Sequence, residues 1–289
     1  MAGKFRLWSA ALGLLCSLSA YAESPVWAIR GANNTVFLAG SVHLLKPEHS
    51  TLPASFDRAY VEAEALVMEL DLDDFDPLEA QTWMFEHGTF SGEANLQKTI
   101  GEKRFKLVAA EAERLGLPIE GLQRIEPWAI ALSLMELQYA RLGFDPQLGV
   151  ERQLEQRARR DGKEIRGLET LDDQLGKLDA LPYEMQGRFL ELTVEDMGDV
   201  ERQTTELLAA WRAGDSDRLA RLLVTEFDEF PELYRILVTD RNKKWIPQIE
   251  KLLQDKRDYL VVVGALHLVG KEGMVELAQG RGLKPARVK

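Results

Sequence analysis

The sequence predicts an α/β fold: a single domain with a mostly buried central sheet and a helical insertion in the middle of the chain. Two observations carry that expectation. The stretches TVFLAGSVHL (35–44), ALVMELDL (65–72) and YLVVVGALHL (259–268) are almost continuously apolar, as strands covered on both faces are. They lie toward the two ends of the chain, whereas residues from about 76 to 160 place apolar side chains at helical three-to-four spacing. No low-complexity tract or long linker interrupts the 289 residues.

Taken in order, Lys4 and Arg6 precede an apolar run from Leu7 to Leu18, and Ala20-Tyr21-Ala22 follows as a small-x-small pattern. That order predicts a signal peptide over 1–22, cleaved before Glu23, and a mature domain over 23–289 that is exported, periplasmic or secreted. The apolar run is too short to span a hydrocarbon core ~30 Å thick, so no membrane span is expected in the mature chain. Its single cysteine, Cys16, would leave with the signal, and a domain without disulfides must rely on its core. A chain of about 270 residues can bury roughly 75% of its unfolded surface, which suffices.

Val26–Arg30 and the 35–44 run read as strands around the turn Gly31-Ala32-Asn33-Asn34. Pro53 opens a helix ahead of the 65–72 strand. LVAAEAERLG, PWAIALSLMELQYARLG and GVERQLEQRARRDG are three helical patterns ending in Gly. Lys163–Glu169 reads as a strand returning to the sheet, and 171–237 as helix broken near Pro182, Gly214-Asp215 and Pro231. Pro247 sets a helix start near Trp245, or a kink there. The 259–268 strand, a short helix over Gly273–Gln279 and a last strand at Ala286-Arg287-Val288 close the chain. The net charge of −11, with dispersed acidic residues and no basic stripe, argues against nucleic acid and anionic membranes as partners.

The chemistry-bearing residues start with histidine. Of four histidines outside the leader, His43 and His267 both follow an apolar strand in the pattern Gly-x-x-His, with Gly40 and Gly264 as the glycines. Composition alone gives that coincidence roughly 3% of the time. Ligands of open α/β sheets bind beyond the carboxyl ends of strands, so two imidazoles delivered there could share a site. Each could instead be a strand-end histidine satisfied by backbone groups. His49 and His87 sit in polar surroundings and read as surface residues. Glu69 interrupts an apolar strand, where an ionised group is costly unless paired or used. Asp71 and Asp73 follow on its face. Glu169 ends a strand and heads a helix, as a site acid or merely a cap. Arg241, beside Asn242, reads either as a site cation or as a surface ion pair.

Taken together, GSVHLL, VMELD, GLET, RN-x-x-W and VVVGALHLVGKEGMVELAQGRG resemble the TraB/GumN family, akin to the Tiki metalloproteases and more remotely to erythromycin-esterase-like and ChaN-like proteins. The resemblance spans about Val26 to Val288. It implies an α/β domain whose site holds Gly40/His43, Gly264/His267, Glu69, Glu169, Arg241 and Asn242. The expectation is a hydrolase, peptidase- or esterase-like, acting on an unknown peptide or small molecule. His43, Glu69, Glu169 and His267 would hold a divalent metal such as Mn, Co or Zn with an open water position, and Arg241 would steady an oxyanion or a substrate carboxylate. Without metal, His43 or His267 would serve as general base on a water oriented by Glu69. The alternative is a haem- or ligand-binding protein without catalysis, although no Cys-x-x-Cys-His and no Met or Tyr cluster accompanies either motif.

Overall fold

The three apolar runs become neighbours in one sheet. The computed structural model describes residues 24–71, 77–227 and 230–289; the expected signal peptide and Asp73 lie outside the described residues. Its strands are β1 (Val26–Arg30), β2 (Thr35–Ser41), β3 (Ala65–Leu70), β4 (Glu164–Glu169), β5 (Tyr259–Gly264) and β6 (Ala286–Arg287), in the order β4-β3-β5-β2-β1-β6. β2, β3, β4 and β5 run parallel, and β1 pairs antiparallel with both β2 and β6. The register sets Ser41 beside Gly264 and Met68 beside Val262. The carboxyl ends of β3, β5 and β2 therefore leave the sheet side by side, with β5 between the other two.

Strand alternation sends the core to both faces. Phe37, Ala39, Leu66, Met68, Leu260 and Val262 pack with Phe56, Leu154 and Trp211 of the helices Ala54–Glu62, Val150–Asp161 and Val200–Ala213. On the other face Leu38, Val67, Val261 and Val263 meet Trp245 and Ile249 of the helix Asp240–Leu252 and Met274 of the helix Met274–Gly280. Side chains of this size each contribute about 1.5–3 kcal/mol when fully buried. The insertion has its own cluster: Ile100, Ile130, Leu134 and Leu190 meet between the helices Leu96–Arg114, Pro127–Arg141 and Tyr183–Asp196. Among the described residues no helix is long and apolar enough to cross a membrane.

Three boundaries differ from expectation, and each bears on the site. β2 stops at Ser41, so His43 lies two residues past the strand. β5 stops at Gly264, and Ala265–Leu268 is a helical turn rather than more strand. Apolar continuity alone does not separate a buried strand from the buried helical turn that follows it. Gly40 explains how that turn packs: a Cβ there would lie 3.3 Å from Ala265 Cα, so only glycine lets the turn fold back over β2 undisturbed. Finally, Asp240–Leu252 is helical through Pro247 and is preceded by a wide turn at Arg235–Thr239. Its buried residues Arg241, Asn242, Trp245, Ile246 and Ile249 form one helical stripe. Arg241 is thus an inward-facing residue of the first turn, not a surface ion pair.

Candidate functional site

Glu69 is the centre of the arrangement. It ends β3 at 8% exposure, and both of its oxygens have partners. Oε1 accepts the Gly264 N–H at 2.7 Å, while Oε2 accepts from Arg241 Nη2 at 2.5 Å and Gln174 Nε2 at 3.0 Å. Burial alone would push the carboxyl up. The cationic neighbours around it, Arg241 among them, and the Gly264 amide outweigh that and hold it well below the usual carboxylate range.

Arg241 joins the acids. Nε and Nη2 clamp Glu169 at 3.2 and 2.6 Å, Nη2 also holds Glu69, and Nη1 donates to the Leu237 carbonyl and to His267 Nε2, each at 3.1 Å. All five guanidinium hydrogens are spent within the protein. The guanidinium lies over the Trp245 ring at 4.6 Å. Arg241 therefore positions the carboxylates, and in this arrangement it has no donor left for an oxyanion. Glu169 is not a helix cap: Thr170 caps the helix Leu171–Asp179, reciprocally with Asp173.

His267 is buried and orientated from both sides. Asn242, wholly buried, donates through Nδ2 to the carbonyls of His267 (3.1 Å) and Glu272 (2.8 Å). Its Oδ1 must then face His267 Nδ1, at 2.7 Å, as acceptor. Nδ1 carries the proton, and Nε2 offers its lone pair to Arg241. Burial, with Arg241 beside it, pushes His267 down to about 3 although Glu69 opposes this, so the ring is neutral at ordinary pH. The second nitrogen of a functional imidazole is commonly fixed in this way.

His43 stands at the mouth, its side chain 66% exposed. Its Nδ1 lies 2.8 Å from Glu151 Oε1, an oxygen that also accepts from Ser41 Oγ. The Glu151 charge raises His43 to about 9. The loop is pinned by the Val150 N–H donating to the Val42 carbonyl at 3.1 Å. Gly149 permits this approach, since a Cβ there would sit 2.1 Å from the His43 carbonyl oxygen. The other imidazole nitrogen, Nε2, faces inward. A methyl group on Gly264 would lie 3.4 Å from Glu69 Oε1, 3.5 Å from His43 Nε2 and 3.7 Å from His267 Cδ2. The three residues meet around a hollow that exists because position 264 has no side chain.

His43, Glu69, His267, Arg241, Glu169 and Asn242 are therefore brought together, with Gly40 and Gly264 making room for them. His49 and His87 are half-buried rather than fully exposed, and His87 stacks on Trp83. Ser41 and Trp245, which lie within the GSVHLL and RN-x-x-W motifs, complete the cluster together with Glu151 and Gln174, which were not singled out from sequence. Glu151 carries only the weak signal of an acid in the first turn of a helix that follows glycine.

A metal held jointly by His43, Glu69, Glu169 and His267 does not fit this arrangement. Glu169 directs both oxygens to Arg241, and Arg241 occupies the space in front of His267 Nε2. Among the described residues no three His, Cys, Asp or Glu side chains converge closely enough to hold an ion. A separate cavity of about 480 Å³ opens between helices of the insertion, lined by residues such as Met135, Tyr139, Phe189 and Leu207; it shares no lining residue with the histidine site.

Known proteins resemble the chain over most of its length. The uncharacterized protein YbaP of Escherichia coli (strain K12) is 24% identical over 245 residues, 85% of this chain and 88% of that protein. YbaP of Shigella flexneri matches to the same extent. An uncharacterized protein of Treponema pallidum (strain Nichols) is 24% identical over 286 residues, covering 94% and 85%. No solved structure matches the chain. A family model covers residues 25–287, β1 through β6, and by that match the chain belongs to the TraB/PrgY/gumN family.

Proposed function

We propose that this protein is an exported hydrolase, periplasmic or released, that activates water for attack on a peptide or ester carbonyl. One observation carries the reading: His43 Nε2 and Glu69 Oε1 face the same hollow over Gly264. Glu69 orients the water by accepting one of its hydrogens. Neutral His43 takes a proton at Nε2 as the water oxygen bonds to the carbonyl carbon, and Glu151 stabilises the imidazolium formed. The imidazolium then returns that proton to the leaving group as its bond to carbon breaks. His267, with Nε2 held by Arg241, borders the hollow and orders the guanidinium rather than serving as the base. Because Glu151 raises His43, the neutral form needed by this step grows with pH, and activity should rise toward pH 9.

Metal assistance through His43 and Glu69 alone is a second reading, favoured by the same two inward-facing donors; it leaves out Glu169 and His267, which Arg241 holds. One experiment separates the two. A peptide mixture and an ester panel are incubated with the mature protein and with His43→Ala, before and after chelation, alongside metal analysis. Cleavage that falls about 100-fold or more in His43→Ala supports the reading. Stoichiometric metal, with activity lost on chelation, selects the assisted form. No cleavage of either class, or unchanged cleavage by His43→Ala, refutes the proposal.

A further inference from the structure

Lys177 lies one helical turn beyond Gln174, the residue that holds Glu69, on the same face of the helix Leu171–Asp179. Its Nζ is shut off from water and, among the described residues, has no hydrogen-bond partner. The surroundings explain why. Among the described residues the nearby carboxylates are Glu169 and Asp173; Arg241 takes both oxygens of the first, and Lys244 pairs with the second at 3.4 Å. An ammonium with three donors and no acceptor is a costly state for a buried group, and an acceptor brought by a ligand would relieve it. Because Gln174 reaches Glu69 from that same helix face, Lys177 stands at the edge of the site.

Building on the hydrolase reading, we infer that Lys177 binds a free carboxylate of the substrate close to the scissile bond. The four-carbon stem lets the ammonium swing into the cleft once an acceptor arrives. A single negative charge suits the site better than a phosphate dianion, because Glu69 and Glu169 stand beside the guanidinium and would repel a second charge. The substrate class is therefore a carboxylate-bearing acyl compound, such as a short peptide cleaved near its free C-terminus.

The test measures binding without turnover. N-acetyl tripeptides, each as free acid and as C-terminal amide, are equilibrated with His43→Ala protein, and the retained species are counted by mass spectrometry. The expected result is free acids retained about tenfold over amides, with Lys177→Met abolishing the preference without lowering the thermal melt, and Lys177→Arg keeping it. Equal retention of acids and amides, retention of neither, or a preference that survives Lys177→Met overturns the inference. So does displacement of the acids by inorganic phosphate more strongly than by equal acetate. Cleavage by the unmutated protein is judged separately, so the hydrolase reading can fail while this one stands, and the reverse.

Discussion

Replacing Arg241 by Met keeps the stem over Trp245 and removes the guanidinium. Five hydrogen bonds disappear, and two carboxylates whose side chains are only 10% and 4% exposed, Glu69 and Glu169, lose their shared cation. Removing one partner of a buried ion pair costs about 3–5 kcal/mol, because the remaining charge is left uncompensated. The sign of the pH dependence follows. With Arg241 present, Glu69 is held below its unfolded value, so its contribution is in place above the ordinary carboxylate pKa and declines only as pH falls through the depressed one. Without Arg241 that cation is gone while burial remains, so the folded pKa of Glu69 moves up. The penalty is then greatest at high pH and shrinks as the acids take up protons. Urea unfolding at pH 8 and pH 5, read by two probes to confirm two-state behaviour, should show a deficit of about 3–5 kcal/mol at pH 8 that is clearly smaller at pH 5. A deficit under about 1 kcal/mol at pH 8, or one that does not change with pH, would refute the account of a cation shared by two buried acids.

Two further outcomes concern the imidazoles. With few histidines to resolve, long-range ¹⁵N spectra should show His267 neutral and protonated at Nδ1 from pH 8 to pH 5, and His43 cationic until about pH 9. Glu151→Gln should return His43 toward 6.5 and shift the rising limb of any pH–rate profile down with it; a limb that stays in place sinks the role given to His43. In stability, the His43–Glu151 pair contributes fully below the unfolded value of 6.5 and is lost as pH rises through about 9, an effect kept under about 1 kcal/mol by exposure. Asn242→Leu leaves Nδ1 and two buried carbonyls without their partner. It should cost about 1–3 kcal/mol by denaturant titration and broaden the tautomer signal of His267; a sharp Nδ1–H signal in the variant would contradict the tautomer assignment.

Much of this arrangement is legible in the sequence, for identifiable reasons. Buried parallel strands announce themselves as unbroken apolar runs, so the sheet and its edge could be read, and a charged residue such as Glu69 stands out inside one. The repeated Gly-x-x-His marks two strand exits. Where His267 sits was less legible, because Val263 and Leu266 are equally apolar and the change from strand to helical turn at Gly264 is made by backbone angles and by packing on Gly40. Arg241 was ambiguous because a guanidinium in a helical first turn looks the same whether its face is buried or wet; the stripe Arg241, Trp245, Ile249 decides it only once the sheet is in place. Glu151 reaches the site from a helix distant in sequence from His43, and Gln174 and Lys177 from the helix that follows Glu169; none of them carries more than a weak local signal.

We place the meeting of water and carbonyl in the hollow over Gly264, and Gly264→Ala probes that placement. The backbone at 264 has φ −50° and ψ 140°, which alanine adopts freely, and the added methyl finds ordinary contact distances of 3.4–3.7 Å. The variant should therefore fold with a cost under about 1 kcal/mol while the methyl fills the space between Glu69 Oε1 and His43 Nε2. Against whichever peptide or ester the unmutated protein cleaves, the variant should lose about 100-fold or more in activity with an unchanged melt. Full activity in a folded Gly264→Ala protein would contradict it.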